Sequence, residues 1–295
     1  GPTQLHIASH VDDAWQEQQR VEVRYSDTGR MQSYTVLRAI DSNWLPVSRA
    51  LFEVDGSGRL IGFAEQEADG DTWMAVKRTR LSYSDSGVKT QRSEVFTEGQ
   101  WITRSIKTFS IEKGRTARLD TQSMGGEGDV QHTRRDEFHY EGDHLVAQVG
   151  FVQIENEWVS QDRVDLTYGS DHLLAEVTRA VNVGSDQPLR LTDRLTYTHT
   201  GAERIATVER ATPEGDNWST ETRKRFEYDE QDQVTAMFEE RSVGGVWKSR
   251  TRTRLQYGGG AANSELGERI PQSADWTNTW MENIYGHAMP YRSTP

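Results

Sequence analysis

The amino-acid sequence predicts an all-β protein, a tandem array of about nine antiparallel β-hairpins with a period of about 29 residues, in a curved or closed meander. Three columns of residues carry that expectation. Tyr25, Val54, Tyr83, Ile111, Tyr140, Tyr168, Tyr197, Tyr228 and Tyr257 recur at spacings of 28 to 31 residues and serve as anchors. Ten residues before them stand Trp15, Trp44, Trp73, Trp101, Val130, Trp158, Gln187, Trp218 and Trp247, seven of nine tryptophan. Five before, seven of nine are arginine: Arg20, Arg49, Arg78, Arg135, Arg163, Arg223 and Arg252, with Ile106 and Thr192 as exceptions.

Each repeat then reads as one hairpin. Two residues before each anchor the position is always apolar: Val23, Phe52, Leu81, Phe109, Phe138, Leu166, Leu195, Phe226 and Leu255. Side chains alternate faces along a strand, so simple parity puts tryptophan, apolar residue and anchor on one face and arginine on the other. That pattern expects the indoles to be core. Turn formers follow the anchor, as in Ser26-Asp27-Thr28-Gly29, Asp55-Gly56-Ser57-Gly58 and Ser84-Asp85-Ser86-Gly87. Asp closes Asx turns there and Gly supplies positive φ. A second strand comes next, such as Leu174–Val177 or Val234–Phe238, and a polar loop returns the chain to the next tryptophan. Stacking against neighbours stabilises hairpins that would be marginal alone. The repeat is weakest where Val130 follows a glycine-rich stretch and where Gln187 precedes Pro188, with local bulging expected and no domain boundary.

The ends sharpen the picture. Residues 1–14 contain an N-terminal strand, with Gln4–Ala8 standing where a preceding repeat would place its second strand. The repeat domain is expected over 15–260, and its ninth member shows no clear second strand of its own. Half a hairpin at one end and its complement at the other suit a meander joined through its termini, which removes exposed strand edges. They suit a fragment of a longer array equally. Residues 261–295 fall out of register but carry Trp276, Trp280 and Tyr285, so a docked cap is expected. Gly1-Pro2 has the form of a protease scar, so this start is silent about any leader.

Composition narrows the function classes. A formal charge of −12 repels nucleic acid and anionic membranes. No stretch is apolar enough for a membrane helix. Ser219–Arg223 is polar on both faces, against the apolar wall of a membrane barrel, so no membrane insertion is expected. There is no cysteine, which excludes disulfides and thiolate metal sites. Arginine supplies 28 of the 34 basic residues. Its planar fork suits cross-strand pairing with Glu65, Glu94, Glu176, Glu209 and Glu239 on the second strands, although a GC-rich or salt-adapted genome yields the same bias.

The Trp–Arg–Tyr unit followed by Asp and Gly resembles the YD-type, Rhs-like repeats of bacterial surface and secreted proteins. The nearest match is Arg223-Lys224-Arg225-Phe226-Glu227-Tyr228-Asp229, then Arg20 to Gly29 and Arg78 to Gly87. The motif is short and permissive, and Tyr-Asp stands intact only at Tyr228-Asp229, which places the chain nearer tryptophan-rich hairpin arrays than toxin shells. The resemblance implies a surface or extracellular location and a structural, adhesive or encapsulating role. It brings no catalytic residue.

Candidate sites are few. Trp276, Trp280 and Tyr285 are the binding candidates. Asp27, Asp55, Asp85 and Asp229 sit in turns, where turn chemistry accounts for them better than calcium does. His144 and His172 each lie four residues past an anchor. Equivalent turns two strands apart lie about 9–10 Å from each other, too far to share a metal ion. No nucleophile elbow, zinc-protease helix, phosphate loop or dinucleotide fingerprint is present, and no cofactor or metal is expected. The sequence therefore favours a non-catalytic secreted or surface scaffold presenting a face to a glycan or protein. The alternatives are a self-associating structural or shell module and a carbohydrate-active enzyme with dispersed carboxylates.

Overall fold

A computed structural model describes residues 2–257 apart from 12, 42, 86, 127, 185–188, 202 and 203. Among the described residues every regular element is a strand. In chain order they are β1 (Pro2–Val11), β2 (Ala14–Tyr25), β3 (Met31–Ile40), β4 (Asn43–Val54), β5 (Leu60–Asp69), β6 (Thr72–Ser84), β7 (Gly87–Thr97), β8 (Gln100–Glu112) and β9 (Arg115–Met124). There follow β10 (Val130–Glu141), β11 (His144–Ile154), β12 (Glu157–Tyr168), β13 (Leu174–Val181), β14 (Arg190–His199), β15 (Ile205–Glu214), β16 (Asn217–Tyr228), β17 (Val234–Val243) and β18 (Val246–Tyr257). All eighteen belong to one antiparallel sheet. The even-numbered strands carry the tryptophan, arginine and anchor columns; each odd-numbered strand from β3 onward is the return strand of its hairpin.

The chain divides into two compact units, one formed by residues 2–81, 93–102 and 224–257, the other by 82–92 and 103–223. In the first unit the termini meet. β1 pairs with β2 on one side and with β18 on the other, Leu5 facing both Val21 and Leu255. Pro2 stands opposite the Tyr257 anchor as Met31 stands opposite Tyr25, and Leu5 opposite Leu255 as Tyr34 opposite Val23. β1 is thus the missing second strand of the ninth repeat, in the register of an ordinary hairpin, and the terminal strands have no free edge.

The anchor ends of four hairpins follow the turn chemistry expected. Ser26 N–H donates to the Arg30 carbonyl and Gly29 N–H to the Ser26 carbonyl, with the same two bonds at Asp55–Arg59, Gly169–Leu173 and Asp229–Gln233. The fourth loop residue is left-handed, at φ 76° for Gly29 and 80° for Gly58, and His172 and Asp232 accept the same conformation at 65° and 67°. The anchors add a bond of their own. Tyr25 Oη donates to the Pro2 carbonyl, Tyr140 to Thr116, Tyr168 to Leu145 and Tyr257 to Val234, each on the preceding return strand at 3.0–3.1 Å. At these four anchors that bond gives the phenol a role beyond packing.

The tryptophans do not share the anchor's face. In β2, Ile7 is paired with Gln19 and Ala8 with Glu17, leaving Gln18 as an extra residue. The same one-residue bulge falls at Val47, Val76, Gln161 and Arg250, seven before the anchor in every case. A bulge inserts one residue into one strand and reverses the face of everything beyond it. Simple parity fails for that reason. Tryptophan and arginine lie on one face, while the anchor and the apolar residue two before it lie on the other. The latter face buries Leu5, Val23, Ala50, Val177, Leu195 and Met237, at 1–6% exposure. No described tryptophan is among the buried residues; all seven are half-buried.

Candidate functional site

The bulge places an arginine of one repeat over the indole of the next. Arg20 lies 5.0 Å from the Trp44 ring centroid, Arg49 4.4 Å from Trp73, Arg78 4.2 Å from Trp101 and Arg135 4.2 Å from Trp158. The ninth repeat repeats the step into the first: Arg252 stands 4.7 Å over Trp15. Thr192 breaks the arginine column, and there Arg194, two residues on, covers Trp218 at 4.7 Å. Such cation–π contacts contribute about 0.5–2 kcal/mol each, more as they leave water.

Small residues make room for the ladder. Arg252 is paired across the sheet with Ala8, Arg163 with Ala180 and Arg194 with Ala211. Those alanines are 2–7% exposed. Carboxylates finish several guanidiniums. Arg78 Nε donates to Glu94 at 2.6 Å, Arg135 to Asp120 at 2.9 Å, and Arg223 lies 3.9 Å from Glu209. The remaining acids expected to serve arginine divide otherwise: Glu176 meets Arg194, while Glu65 and Glu239 meet Lys77 and Lys224. The Nε atoms of Arg20, Arg194 and Arg252 are buried and donate no hydrogen bond, although Arg20 pairs with Glu22 at 3.1 Å through its terminal nitrogen. Burial, with Arg254 adding repulsion, pushes the Arg252 guanidinium below its usual range.

Beside the ladder, the tryptophan end of the hairpins leaves large apolar side chains in solvent. In the first unit these are Val11, Ile40, Leu45, Met74, Phe96, Val243 and Val246, at 36–61% exposure, and in the second Val130, Ile154, Val183 and Leu191. The Phe96 and Trp101 rings are 5.1 Å apart and His10 meets Trp15 edge-on at 5.1 Å. Only Val54, among the described exposed apolar residues, sits at the anchor end. An apolar residue flanks most of the tryptophans, as Leu45, Met74, Ile102, Val159 and Val246 do, but that pattern reads as core until the bulge is known.

Three further groupings complete the inventory. Where β1, β2, β16, β17 and β18 come together, His6, Glu17, Glu227, Arg254 and Gln256 line an open hollow of about 310 Å³. His6 bonds Glu17 through Nδ1 at 3.2 Å and Gln4 through Nε2 at 3.3 Å. In the second unit Arg134 bridges Asp136 and Asp162 at 2.6 Å each, and Asp136 also accepts from Gln148. Gly150 stands between the two acids in register, and a Cβ there would run into the Arg134 guanidinium. The two acids raise the Arg134 pKa, with Asp162 the larger influence, and nothing in the arrangement offers a reactive group.

The third is the histidine pair, and here the expected separation is wrong. The His144 and His172 rings are stacked, 5.6 Å between centroids and 21° between planes, with Tyr168 edge-on to His144 at 4.5 Å. The two turns are not equivalent. A two-residue Gly142-Asp143 loop makes His144 the first residue of β11, whereas His172 lies inside the five-residue Gly169–Leu173 loop. β11 and β12 are neighbours, so one strand spacing separates the histidines, not two.

The turn acids are committed as turn chemistry requires. Asp55 Oδ1 accepts from Ser57 N–H and Arg59 N–H, holding that carboxyl well below its usual range, and Asp229 Oδ1 accepts from Gln231 and Gln233. Trp276, Trp280 and Tyr285 lie outside the described residues, as does Gln187. No family model and no curated protein matches the chain. Solved structures that resemble it weakly include a porin-like protein from Bacteroides uniformis, 11% identical over 87% of this chain and 98% of that one, TM-score 0.44. A porin-like protein from Bacteroides vulgatus is 11% identical over 88% and 98%, TM-score 0.40. The Photorhabdus luminescens Tc holotoxin pore is 11% identical over 81% of this chain and 16% of that one, TM-score 0.25. Likeness of this strength carries over neither activity nor partner.

Proposed function

We propose that the chain is a non-catalytic scaffold, secreted or held at the cell surface, that presents its tryptophan end to a glycan or protein partner. The observation that carries this reading is the recurrence, hairpin after hairpin, of exposed apolar side chains beside half-buried indoles, as at Ile40, Leu45 and Trp44. A single exposed leucine is ordinary; a repeated apolar row at one end of the strands is the mark of an interaction surface. The arginines stacked on Trp15, Trp44, Trp73, Trp101, Trp158 and Trp218 hold those indoles in place, so the row costs little ordering on binding.

Membrane insertion is disfavoured by charge on both faces within each unit. In the first, Arg78–Glu94 lies on the tryptophan face and Lys77–Glu65 on the other; in the second, Arg163–Asp165 and Arg134–Asp136 are divided likewise. A lipid-facing wall needs an uninterrupted apolar band of about 25 Å. The test is a glycan array together with a polysaccharide pull-down. Saturable binding, weakened by Leu45→Asp and Met74→Asp but not by Asp27→Ala, supports the reading. Assembly with rising concentration and no ligand selects the self-associating module. Polysaccharide turnover abolished by one carboxylate change selects the enzyme and overturns it.

A further inference from the structure

We propose that His144 and His172 form a two-imidazole site for a divalent cation of the nickel, copper or zinc type. Their rings lie face to face, 5.6 Å between centroids, at the anchor end of the second unit, His144 opening β11 and His172 in the loop that leaves the neighbouring β12. Both backbones are fixed. His144 follows directly on the tight Gly142-Asp143 turn, and His172 is held left-handed at φ 65° by the bonds that close Gly169–Leu173. The corresponding residues of other repeats are Gly29, Gly58 and Asp232, so His172 is one of two non-glycine residues at this left-handed position.

The ring nitrogens are available. His144 is half-buried and His172 exposed, and among the described residues neither imidazole has a hydrogen-bond or ion-pair partner; each has ring contacts alone. Imidazole is the common ligand of this group of metals, at about 2.0–2.1 Å per nitrogen for zinc, and two rings at this separation need only side-chain rotation to share one ion. Water would fill the remaining positions. Neighbouring charge does not interfere: Asp143 is taken by Arg115, and Asp171 Oδ1 accepts from Leu173 N–H. The Tyr168 hydroxyl is bonded to the Leu145 carbonyl and stays out of the site. The Tyr168 ring packs against His144 and limits its orientations, which favours chelation over two independent weak contacts.

The experiment is calorimetric titration of the chelator-stripped full chain with Zn²⁺, and Cu²⁺ titration followed by electron paramagnetic resonance. One saturable ion per chain and a two-nitrogen copper signature are expected. His144→Asn and His172→Asn should each weaken binding at least ~10-fold, the loss typical of damage to a metal shell. His10→Asn should leave it unchanged. Circular dichroism spectra matching wild type show that the variants fold, and His172→Gly, the residue other repeats use here, supplies a second variant compatible with the turn. The proposal is overturned if no saturable binding occurs, if the signature shows one nitrogen or none, or if the variants bind as wild type does.

Discussion

The junction at which β1 joins β18 to β2 can be set beside the junction of β2, β3 and β4. In the second, a covalent turn links each pair of strands. In the first, nothing links β18 to β1 except hydrogen bonds and side chains. Yet Arg252 covers Trp15 across β1 as Arg20 covers Trp44 across β3, at 4.7 and 5.0 Å. Tyr25 reaches the Pro2 carbonyl as Tyr257 reaches that of Val234, both at 3.0 Å. The lesson is that the repeat's own register chooses the strand partner, and the turn only makes the encounter quick. A terminal strand with the right alternation is therefore adopted as if it were the next hairpin arm.

The largest expected effect comes from removing that arm. Deleting residues 1–11 strips β18 and β2 of their shared neighbour and exposes two unpaired edges, a loss on the scale of the whole ~5–15 kcal/mol of a domain's stability. Thermal unfolding with light scattering should show early melting and aggregation; a stable monomer would mean that β1 is dispensable. Next are Arg252→Ala and Arg20→Ala, each expected to cost about 1–2 kcal/mol in urea unfolding through the lost stack and stem packing. The two losses should agree within ~0.5 kcal/mol, and a much greater cost at Arg252 would separate the terminal junction from the internal one.

Smaller still, Tyr25→Phe and Tyr257→Phe each remove one hydroxyl bond to a carbonyl, about 1 kcal/mol apiece. Equal losses support equivalence of the junctions. At neutral pH the smallest effect is that of ionisation. Burial pushes the Tyr197 and Tyr257 phenols up to about 12, from an ordinary 10. With the folded value above the unfolded one, their contribution is complete below pH 10 and is lost as pH rises through 12. Alkaline titration of stability should fall over that window, and Tyr197→Phe with Tyr257→Phe should flatten it.

Much of the fold is legible in the amino-acid order. Asp55 and Gly58 specify their turn by short-range bonding, and the anchor column fixes where each first strand stops, because both act within one hairpin. The half-hairpin at Gln4–Ala8 and its complement at the other end were enough to suggest joining of the termini. The exposed apolar row at the tryptophan end is far less legible. Counting alternate residues puts the tryptophan column in the core, and that count crosses Gln18, Val47 and Val76 without any local sign that a bulge lies there. One unrecorded residue reverses a face. The histidine spacing failed for a related reason: equal offsets from the anchor hid loops of unequal length at Gly142 and Gly169.

By itself, then, the sequence determined the number of hairpins, their turns, the register unit and the residue types that recur, since each depends on neighbours within about a dozen positions along a strand. Tertiary structure alone decided which face each column occupies, which arginine covers which indole, and that His144 and His172 meet. Those depend on how one strand's count is offset against another's. An offset of a single residue leaves local propensity unchanged while moving a side chain to the opposite face of the sheet.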